Sequence, residues 1–395
     1  MMLANTGASG WYLRLWETPV SFSFGGLAMD HPLHRWINDG LMAIFFFVIG
    51  LEVKRELVVG ELREFRQATL PVAAAIGGMV APAGIYLLLQ GAGAARSGWG
   101  IPMATDIAFV VGCMAVLGSR IPHGLRVLLL SLAIADDIGA ILVITIAYTS
   151  DVSFAALAVG LAEIGVVVAL AAVGVRSRGV YALVGLLVWV AFLGSGVHPT
   201  IAGVILGLLT PARPYLAGST FAPFLARAGD FLHGGRADDL RAFLGAARET
   251  VSPLESLEHA LHPWVAFAIM PVFALANAGV VLETGAVRDP VALAVAAGLV
   301  VGKPLGIVAA SWLAVRGGLA RLPDGVGWGM LAGGGALAGI GFTMALFVAD
   351  LALPGPSLDA AKIGVLVGSA LAGAVGVGLL LMVSPARRAI AQNDA

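Results

Sequence analysis

The sequence predicts an all-α polytopic membrane protein, and two observations support this fold class. Hydrophobic residues make up 59% of the 395 residues and charged residues only 12%, whereas soluble domains carry about 25% charged residues. Apolar stretches recur along the whole chain, and many approach the roughly 20 residues that cross the hydrocarbon core of a bilayer. We therefore expect a helical bundle in contact with membrane lipid.

Eleven membrane spans are predicted from these stretches. In chain order they are 37–53, 69–90, 100–119, 125–148, 153–175, 179–195, 198–210, 261–281, 290–314, 328–351 and 360–383. Most of the 23 lysines and arginines fall in alternate loops and in the C-terminal tail, which by the positive-inside rule face the cytoplasm. The chain then divides into an external segment (1–36), a transmembrane domain (37–383) with a long cytoplasmic loop (212–260), and a cytoplasmic tail (384–395).

Charge and cysteine content exclude other classes. A formal net charge of −1 gives no basic surface for nucleic acid, so no nucleic-acid partner is expected. The single cysteine, Cys113, excludes a disulfide framework and a thiolate metal site.

The external segment contains a predicted β-hairpin at 19–30. Apolar and polar residues alternate over Val20–Phe24, and Gly25-Gly26 follows as a tight turn. Two strands alone are marginally stable in water, so the hairpin either pairs with a second copy of the chain or lies on its own protein.

Two apolar spans are interrupted near their middle. The run 99–109 contains Pro102, Thr105 and Asp106, and the run 333–343 contains five glycines, among them Gly339 and Gly341. Paired broken spans point to the ion site of a secondary transporter, because they leave backbone carbonyls and half-helix dipoles free at mid-membrane. Close helix packing explains the glycines equally well.

Four ionisable residues lie deep inside apolar spans: Asp106, Asp136, Asp137 and Lys303. A charge at that depth costs at least about 2.5 kcal/mol, so such groups indicate function. Adjacent helix positions differ by about 100°, so Asp136 and Asp137 point in different directions and only one can face the helix that carries Lys303. Oxygen-rich surroundings suit a hard ion such as sodium or lithium. Lys303 is open to two interpretations, as a structural counter-charge or as a titrating partner.

Eight runs resemble, in order, the signature runs of the NhaA-type sodium/proton antiporter family. They are Leu51–Leu57, Ala104–Phe109, Ala135–Ala140, Ser195–His198, Leu257–Trp264, Phe273–Gly279, Gly302–Gly306 and Gly339–Met344. The resemblance implies an inverted-repeat bundle with two broken, crossing helices in the bacterial inner membrane. It also implies electrogenic export of sodium or lithium in exchange for protons, activation at alkaline pH, no cofactor, and a homodimer formed through the hairpin.

Residue roles follow from the same resemblance. Asp137 would be the principal sodium and proton carrier, with Asp136 completing the sodium site or pairing with Lys303. Asp106 and Thr105 would lie where the broken helices cross, with Gly339 and Gly341 in the broken backbone. A cytoplasmic cluster would sense pH, formed by Glu52, Arg55, Glu56, Glu258, His259 and His262. By sequence alone, the same cluster is also typical of solvated helix ends.

The chain departs from the family at several places. The first family helix is expected to be largely missing, because the sequence begins near its outer end. His233 is a possible further pH-sensing histidine, and Glu163 and Asp350 are extra acids without an assigned role.

Two other classes were weighed. An intramembrane aspartyl protease could use Asp106 with Asp137, although the chain has no Gly-x-Gly-Asp run and proteolysis gives Lys303 no role. A channel would favour rings of like charge or a repeated filter backbone, which a single asymmetric set of acids does not supply.

Overall fold

The computed structural model describes residues 3–7, 9–24, 27–91, 93–149, 152–214, 250–281 and 285–383, and these residues form a largely helical protein. The helices are α1 (Ser9–Trp16), α2 (Leu33–Val58), α3 (Phe65–Gln90), α4 (Ile107–Leu117), α5 (His123–Ala147), α6 (Phe154–Val173), α7 (Arg178–Leu193), α8 (Thr200–Leu209), α9 (Pro253–Asn277), α10 (Pro290–Arg316), α11 (Trp328–Ala338), α12 (Phe342–Ala352) and α13 (Pro356–Val383). A 3₁₀ segment, Ala94–Met103, precedes α4.

Within the described residues, 8 helices are long and apolar enough to cross a membrane, counting Ala95–Arg120 as one. A ninth span is possible in the pair α11 and α12, which meet at an angle of 49°. The remaining predicted spans, 179–195 and 198–210, are the shorter helices α7 and α8, of 16 and 10 residues. Ten residues rise about 15 Å, half the hydrocarbon thickness, so α8 does not form the full span that the sequence predicted.

The hairpin is confirmed. Strands β1 (Pro19–Phe24) and β2 (Leu27–Pro32) pair antiparallel from Pro19 opposite Pro32 to Phe24 opposite Leu27. The ribbon therefore extends two residues beyond the predicted 19–30. Its predicted turn, Gly25-Gly26, lies outside the described residues.

Several predicted helix boundaries are wrong. Helix α1 was not predicted, and α2 begins at Leu33 rather than at 37. Helix α9 begins at Pro253, inside the loop predicted at 212–260, because the Ser252 hydroxyl accepts a hydrogen bond from the Glu255 N–H (3.1 Å) and proline suits the first helical position. Within that loop, 215–249, including His233, lie outside the described residues.

Close packing of small residues brings the long helices together beside the site. A Cβ atom at Gly77 of α3 would overlap the carbonyl oxygen of Gly306 in α10, and a Cβ atom at Gly306 would overlap that of Gly77. The two backbones therefore touch, as in other membrane helix pairs with small residues at the interface. Helix α3 also packs against α5, which sets the helices of Lys303 and of the paired aspartates around one centre.

Candidate ion-binding site

The two interrupted spans meet at their breaks. Helix α11 ends at Ala338 and α12 begins at Phe342, while the 3₁₀ segment ends at Met103 and α4 begins at Ile107. The Asp106 N–H donates to the Ile340 carbonyl (2.7 Å), and the Thr105 hydroxyl lies 3.0 Å from the Ala338 carbonyl oxygen. Backbone groups released by one break are thus bonded to residues of the other.

Asp106 caps two helices at once. Its Oδ2 accepts from the backbone N–H of Thr343 (3.1 Å) and from the Thr343 hydroxyl, and its Oδ1 accepts from the Phe109 N–H at 3.4 Å. The carboxylate therefore lies at the first turns of both α12 and α4, where the helix dipole is positive. Burial at 1% exposure strengthens that interaction, because water does not screen it.

Lys303 lies at a helix end of the opposite sign. Its Nζ donates to the carbonyl of Met103, the last residue of the 3₁₀ segment, and to Asp136 Oδ2 at 2.6 Å. Lys303 is 0% exposed and Asp136 is 1% exposed. A π-helical turn, Gly298–Gly302, immediately precedes the lysine, and such turns often occur at functional sites. Both structural roles that the sequence left open, pairing with a carboxylate and neutralising a negative helix end, are therefore present.

Thr105 connects the ion pair to the break. Its hydroxyl lies 2.6 Å from Asp136 Oδ2 as well as 3.0 Å from the Ala338 carbonyl oxygen. A hydroxyl has one proton, so it donates to one of these two acceptors at a time. Asp136 Oδ1 is buried and has no hydrogen-bond partner among the described residues, which leaves one carboxylate oxygen with unused acceptor capacity.

Asp137 differs from its neighbour. It is 4% exposed, and it makes no hydrogen bond or ion pair with any described residue. An ionised carboxylate is an acceptor only, with about four lone-pair sites, so Asp137 can take up a proton or a hard cation. The described residues contain no group of three or more histidine, cysteine or acidic side chains that could hold a metal ion, and this site instead presents carboxylate, hydroxyl and carbonyl oxygens.

The glycines at the break between α11 and α12 allow close contact with neighbouring backbone as well as interruption of the helix. A Cβ atom at Gly339 would overlap the Leu299 carbonyl oxygen of α10, and one at Gly341 would lie 3.0 Å from the Ala104 carbonyl oxygen. Close packing and helix interruption, the two explanations that the sequence left open, therefore apply together.

The acidic and histidine cluster is only partly assembled. Arg55 of α2 pairs with Glu258 of α9, but Glu56 turns away and accepts from the Glu61 N–H at 2.8 Å. His259 and His262 are exposed, and within the described residues neither forms an ion pair. Glu52 is one turn from Glu56 on α2 and likewise has no ion pair among those residues.

A cavity of about 390 Å³ lies beside this cluster. Its walls are Glu56, Val59, Gly60, Glu61, Arg63, Glu64, Gln67, Val127, Leu130 and Ser131. Ser131 is six residues before Asp137 on α5, a rise of about 9 Å. The cavity therefore lies toward the end of α2 opposite the hairpin, within two helical turns of the unpaired aspartate.

Three contacts at the site were not predicted from the sequence. Thr343 belongs to a recognised run but was given no role, although a hydroxyl directly after a glycine-rich break is typical of a helix start. Ser369 of α13 accepts from the Phe342 N–H (3.1 Å), and no sequence pattern indicated it. The Met103 carbonyl is a backbone group, which residue types do not reveal.

The paired-aspartate protease is not supported by this geometry. Both Asp106 oxygens accept hydrogen bonds from α12 and α4, so the carboxylate is committed to capping. Aspartyl proteolysis would need two carboxylates free to share one proton.

Comparison with known proteins places the whole chain beside one family. Residues 1–380 match the family described as Na+/H+ antiporter 1. The chain is 55% identical to a protein named Na(+)/H(+) antiporter NhaA from Rhodopirellula baltica, over 98% of this chain and 89% of that protein. Identity is 51% to an NhaA antiporter of Rhizobium meliloti (98% and 90% covered) and 47% to NhaA 1 of Acidiphilium cryptum (97% and 87% covered).

Proposed function

Since this chain belongs to the Na+/H+ antiporter 1 family, and is therefore a secondary transporter and not an enzyme, we propose that it exports Na+ in exchange for H+. It is a multi-pass membrane protein of bacterial type, as its apolar helices and bacterial relatives indicate. Lithium, which has the same charge and preference for oxygen ligands, is proposed as an alternative cargo.

The charge balance of the site is the observation that carries the proposal. Asp106 is compensated by two helix N-termini, and Asp136 is paired with Lys303, whereas Asp137 forms no ion pair or hydrogen bond with any described residue, so the three acids share one lysine. One further positive charge is therefore required to neutralise the centre. A proton or a sodium ion satisfies that requirement, but both do not fit on one carboxylate, so binding of one releases the other.

Sodium is proposed to bind between Asp137 and the free oxygen of Asp136, with the crossing of the two breaks supplying nearby hydroxyl and carbonyl oxygens. Asp136 Oδ1 is the buried acceptor without a partner, which supports its inclusion. Release of a second proton from the Asp136–Lys303 pair would make exchange electrogenic, since more than one proton would then move per sodium ion.

The setting proposed for this activity is the bacterial inner membrane, with the C-terminus in the cytoplasm and the hairpin outside. The bias of lysine and arginine toward alternate loops supports this orientation. An inverted repeat with crossing helices, a homodimer formed through the hairpin, and activation at alkaline pH for sodium and pH homeostasis complete the proposal. No resident cofactor is proposed.

The decisive experiment is a pH-gradient assay in everted membrane vesicles, with Na+, Li+ and K+ added in turn. Sodium should dissipate an acid-inside gradient in the wild type. Asp137→Asn should abolish this response while the protein still inserts and folds, because an amide cannot exchange a proton for a cation.

A matched control is Glu163→Gln, which neutralises an acid on α6, away from the two breaks. It should exchange sodium like the wild type. Sodium-driven proton movement at the normal rate in Asp137→Asn would refute the carrier assignment, and its absence in the wild type would refute exchange itself.

A further inference from the structure

A buried polar cluster on the hairpin side of the molecule takes no part in the site described above. Asn38 Nδ2 donates to Asn277 Oδ1 (3.1 Å) and to Asp350 Oδ2 (2.8 Å), and Asn277 Nδ2 donates back to Asn38 Oδ1 at 2.7 Å. The two amides are 4% and 2% exposed. We call these three residues the amide knot.

The amide knot joins three separate elements. Asn38 lies in the π-helical turn Ile37–Leu41 of α2, Asn277 is the last residue of α9, and Asp350 lies in the last turn of α12. The second amide proton of Asn277 is used by the Phe273 carbonyl at 3.0 Å. The Asn277 side chain is therefore fully engaged, and Asp350 is the one charged member of the cluster.

Helix α12 connects the amide knot to the ion site. Thr343, whose N–H and hydroxyl bond Asp106, is seven residues before Asp350, a rise of about 10 Å along one short helix. A tilt of α12 that separates Asp350 from Asn38 must therefore also move the group that holds Asp106.

A cavity and the amide knot lie on opposite sides of the molecule. On the side opposite the hairpin, a cavity of about 390 Å³ reaches Ser131, two turns from Asp137. On the hairpin side, the amide knot ties the end of α12 to α2 and α9. A secondary transporter alternates between such states by moving one group of helices against another.

We propose that Asp350 is a positioning residue for exchange: its hydrogen bond to the Asn38–Asn277 pair holds α12 closed on the hairpin side and favours the state open to the cytoplasm. This inference rests on the proposed Na+/H+ exchange. A hydrogen bond to an ionised acceptor is stronger than one between neutral groups, so the carboxylate is the part of the amide knot whose loss most shifts the balance between the two states.

The test compares apparent KM for Na+ on the two faces of the membrane, using everted and right-side-out vesicles. Asp350→Ala should raise the KM on the cytoplasmic face at least threefold and lower it on the outer face at least threefold, since apparent affinity falls with the fraction of protein open to that face. Asp350→Asn keeps an oxygen acceptor but loses the charge, so both shifts should have the same signs and smaller size.

A swap and a control separate this role from a structural one. Asn38→Asp combined with Asp350→Asn exchanges the acid and the amide across the hydrogen bond between positions 38 and 350, but Asn277 Oδ1 loses its donor. Both KM values should therefore return part of the way from those of Asp350→Ala toward wild type. Asp359→Ala removes an exposed acid from the first turn of α13, outside the amide knot, and should leave both values unchanged.

The inference would be overturned, with exchange intact, if Asp350→Ala and Asp350→Asn changed the KM equally on both faces of the membrane. It would also be overturned if these variants lost heat stability but kept both KM values. If Asp350→Ala does not fold, Asp350→Asn and the swap decide the question. A wild type without sodium-dependent proton movement would instead refute the proposed function, and this inference with it.

Discussion

At the residue scale, the site is defined by how each charge is neutralised. Lys303 and Asp136 lie 2.6 Å apart at 0% and 1% exposure, and such a pair recovers its desolvation cost only when further hydrogen bonds satisfy both groups. The Met103 carbonyl supplies such a bond to Lys303 and the Thr105 hydroxyl one to Asp136 Oδ2, while Asp136 Oδ1 remains without a partner among the described residues. The sequence identified all four ionisable residues, because charges inside apolar spans are conspicuous. The geometry of one helix does not say which of two adjacent aspartates faces the lysine, and that assignment came from the family resemblance.

A prediction on heat stability follows from this pair. Asp136→Asn leaves the Lys303 ammonium buried without its counter-charge, and breaking one partner of a buried pair costs about 3–5 kcal/mol. The denaturation midpoint in detergent should fall clearly in Asp136→Asn and in Lys303→Gln, but less in the double variant than the two single losses together. Complete additivity of the two losses would show that the residues are not coupled.

At the element scale, the sequence predicted where the two spans are interrupted, but not which groups of one break form hydrogen bonds with the other. Proline, threonine and aspartate in 99–109 and the glycines of 333–343 indicated irregular backbone, and both segments are interrupted where expected. Which carbonyl accepts which N–H depends on the tertiary approach of the spans, which single-span patterns do not encode. Helix α1 was not predicted because its eight residues are too few for a membrane span. The start of α9 was predicted too late because it is set by the N-cap at Ser252, which hydropathy does not reveal.

Gly339 provides a test of the contact between elements. Gly339→Ala would place a methyl group against the Leu299 carbonyl of α10, so α11 would have to move away. That movement would disturb the hydrogen bonds between the two breaks. We expect exchange in vesicles to fall at least tenfold with the protein still inserted. Gly378→Ala is the matched control, because a Cβ atom there meets nothing within 4 Å. Equal activity of the two variants would show that close approach at Gly339 is not required.

At the scale of the whole molecule, composition and charge bias predicted a polytopic helical protein, and the comparisons establish its family. Among the described residues, fewer helices are long enough to cross a membrane than the eleven spans predicted, since hydropathy alone does not distinguish a ten-residue helix such as α8 from a crossing one. The hairpin was predicted from the alternation of apolar and polar residues, and the proposal that it joins two copies of the chain concerns a contact that one chain does not contain.

Assembly through the hairpin is tested by deleting Ser21–Met29, which removes most of β1 and β2 and leaves α2 to α13 in place. Exposed strand edges pair readily with a second copy, so the deletion should lower the dimer fraction in detergent, while each protomer still exchanges sodium. Light scattering at several protein concentrations measures this. A dimer fraction equal to wild type at the lowest concentration would exclude the hairpin as the main contact.

The proposed control by pH belongs to the scale of the whole molecule, because two distant groups could produce it. Acid adds protons to Asp137, where they compete with sodium, so exchange should be weak at low pH and rise as the pH rises. The second group is the proposed pH-sensing cluster, where positive charge at His259 and His262 would raise the potential near the cavity and oppose sodium entry.

The two causes predict different responses to sodium. Competition at Asp137 is overcome by saturating sodium, whereas a remote switch is not. If the cluster senses pH, the His259→Gln and His262→Gln double variant should become active at lower pH than wild type, and saturating sodium should leave the acid-side rate of wild type incomplete. Rates across the pH range at two sodium concentrations, in wild type and double variant, separate the causes. Identical profiles in both proteins, with full recovery of the acid-side rate by sodium, would show that competition at Asp137 alone sets the pH dependence.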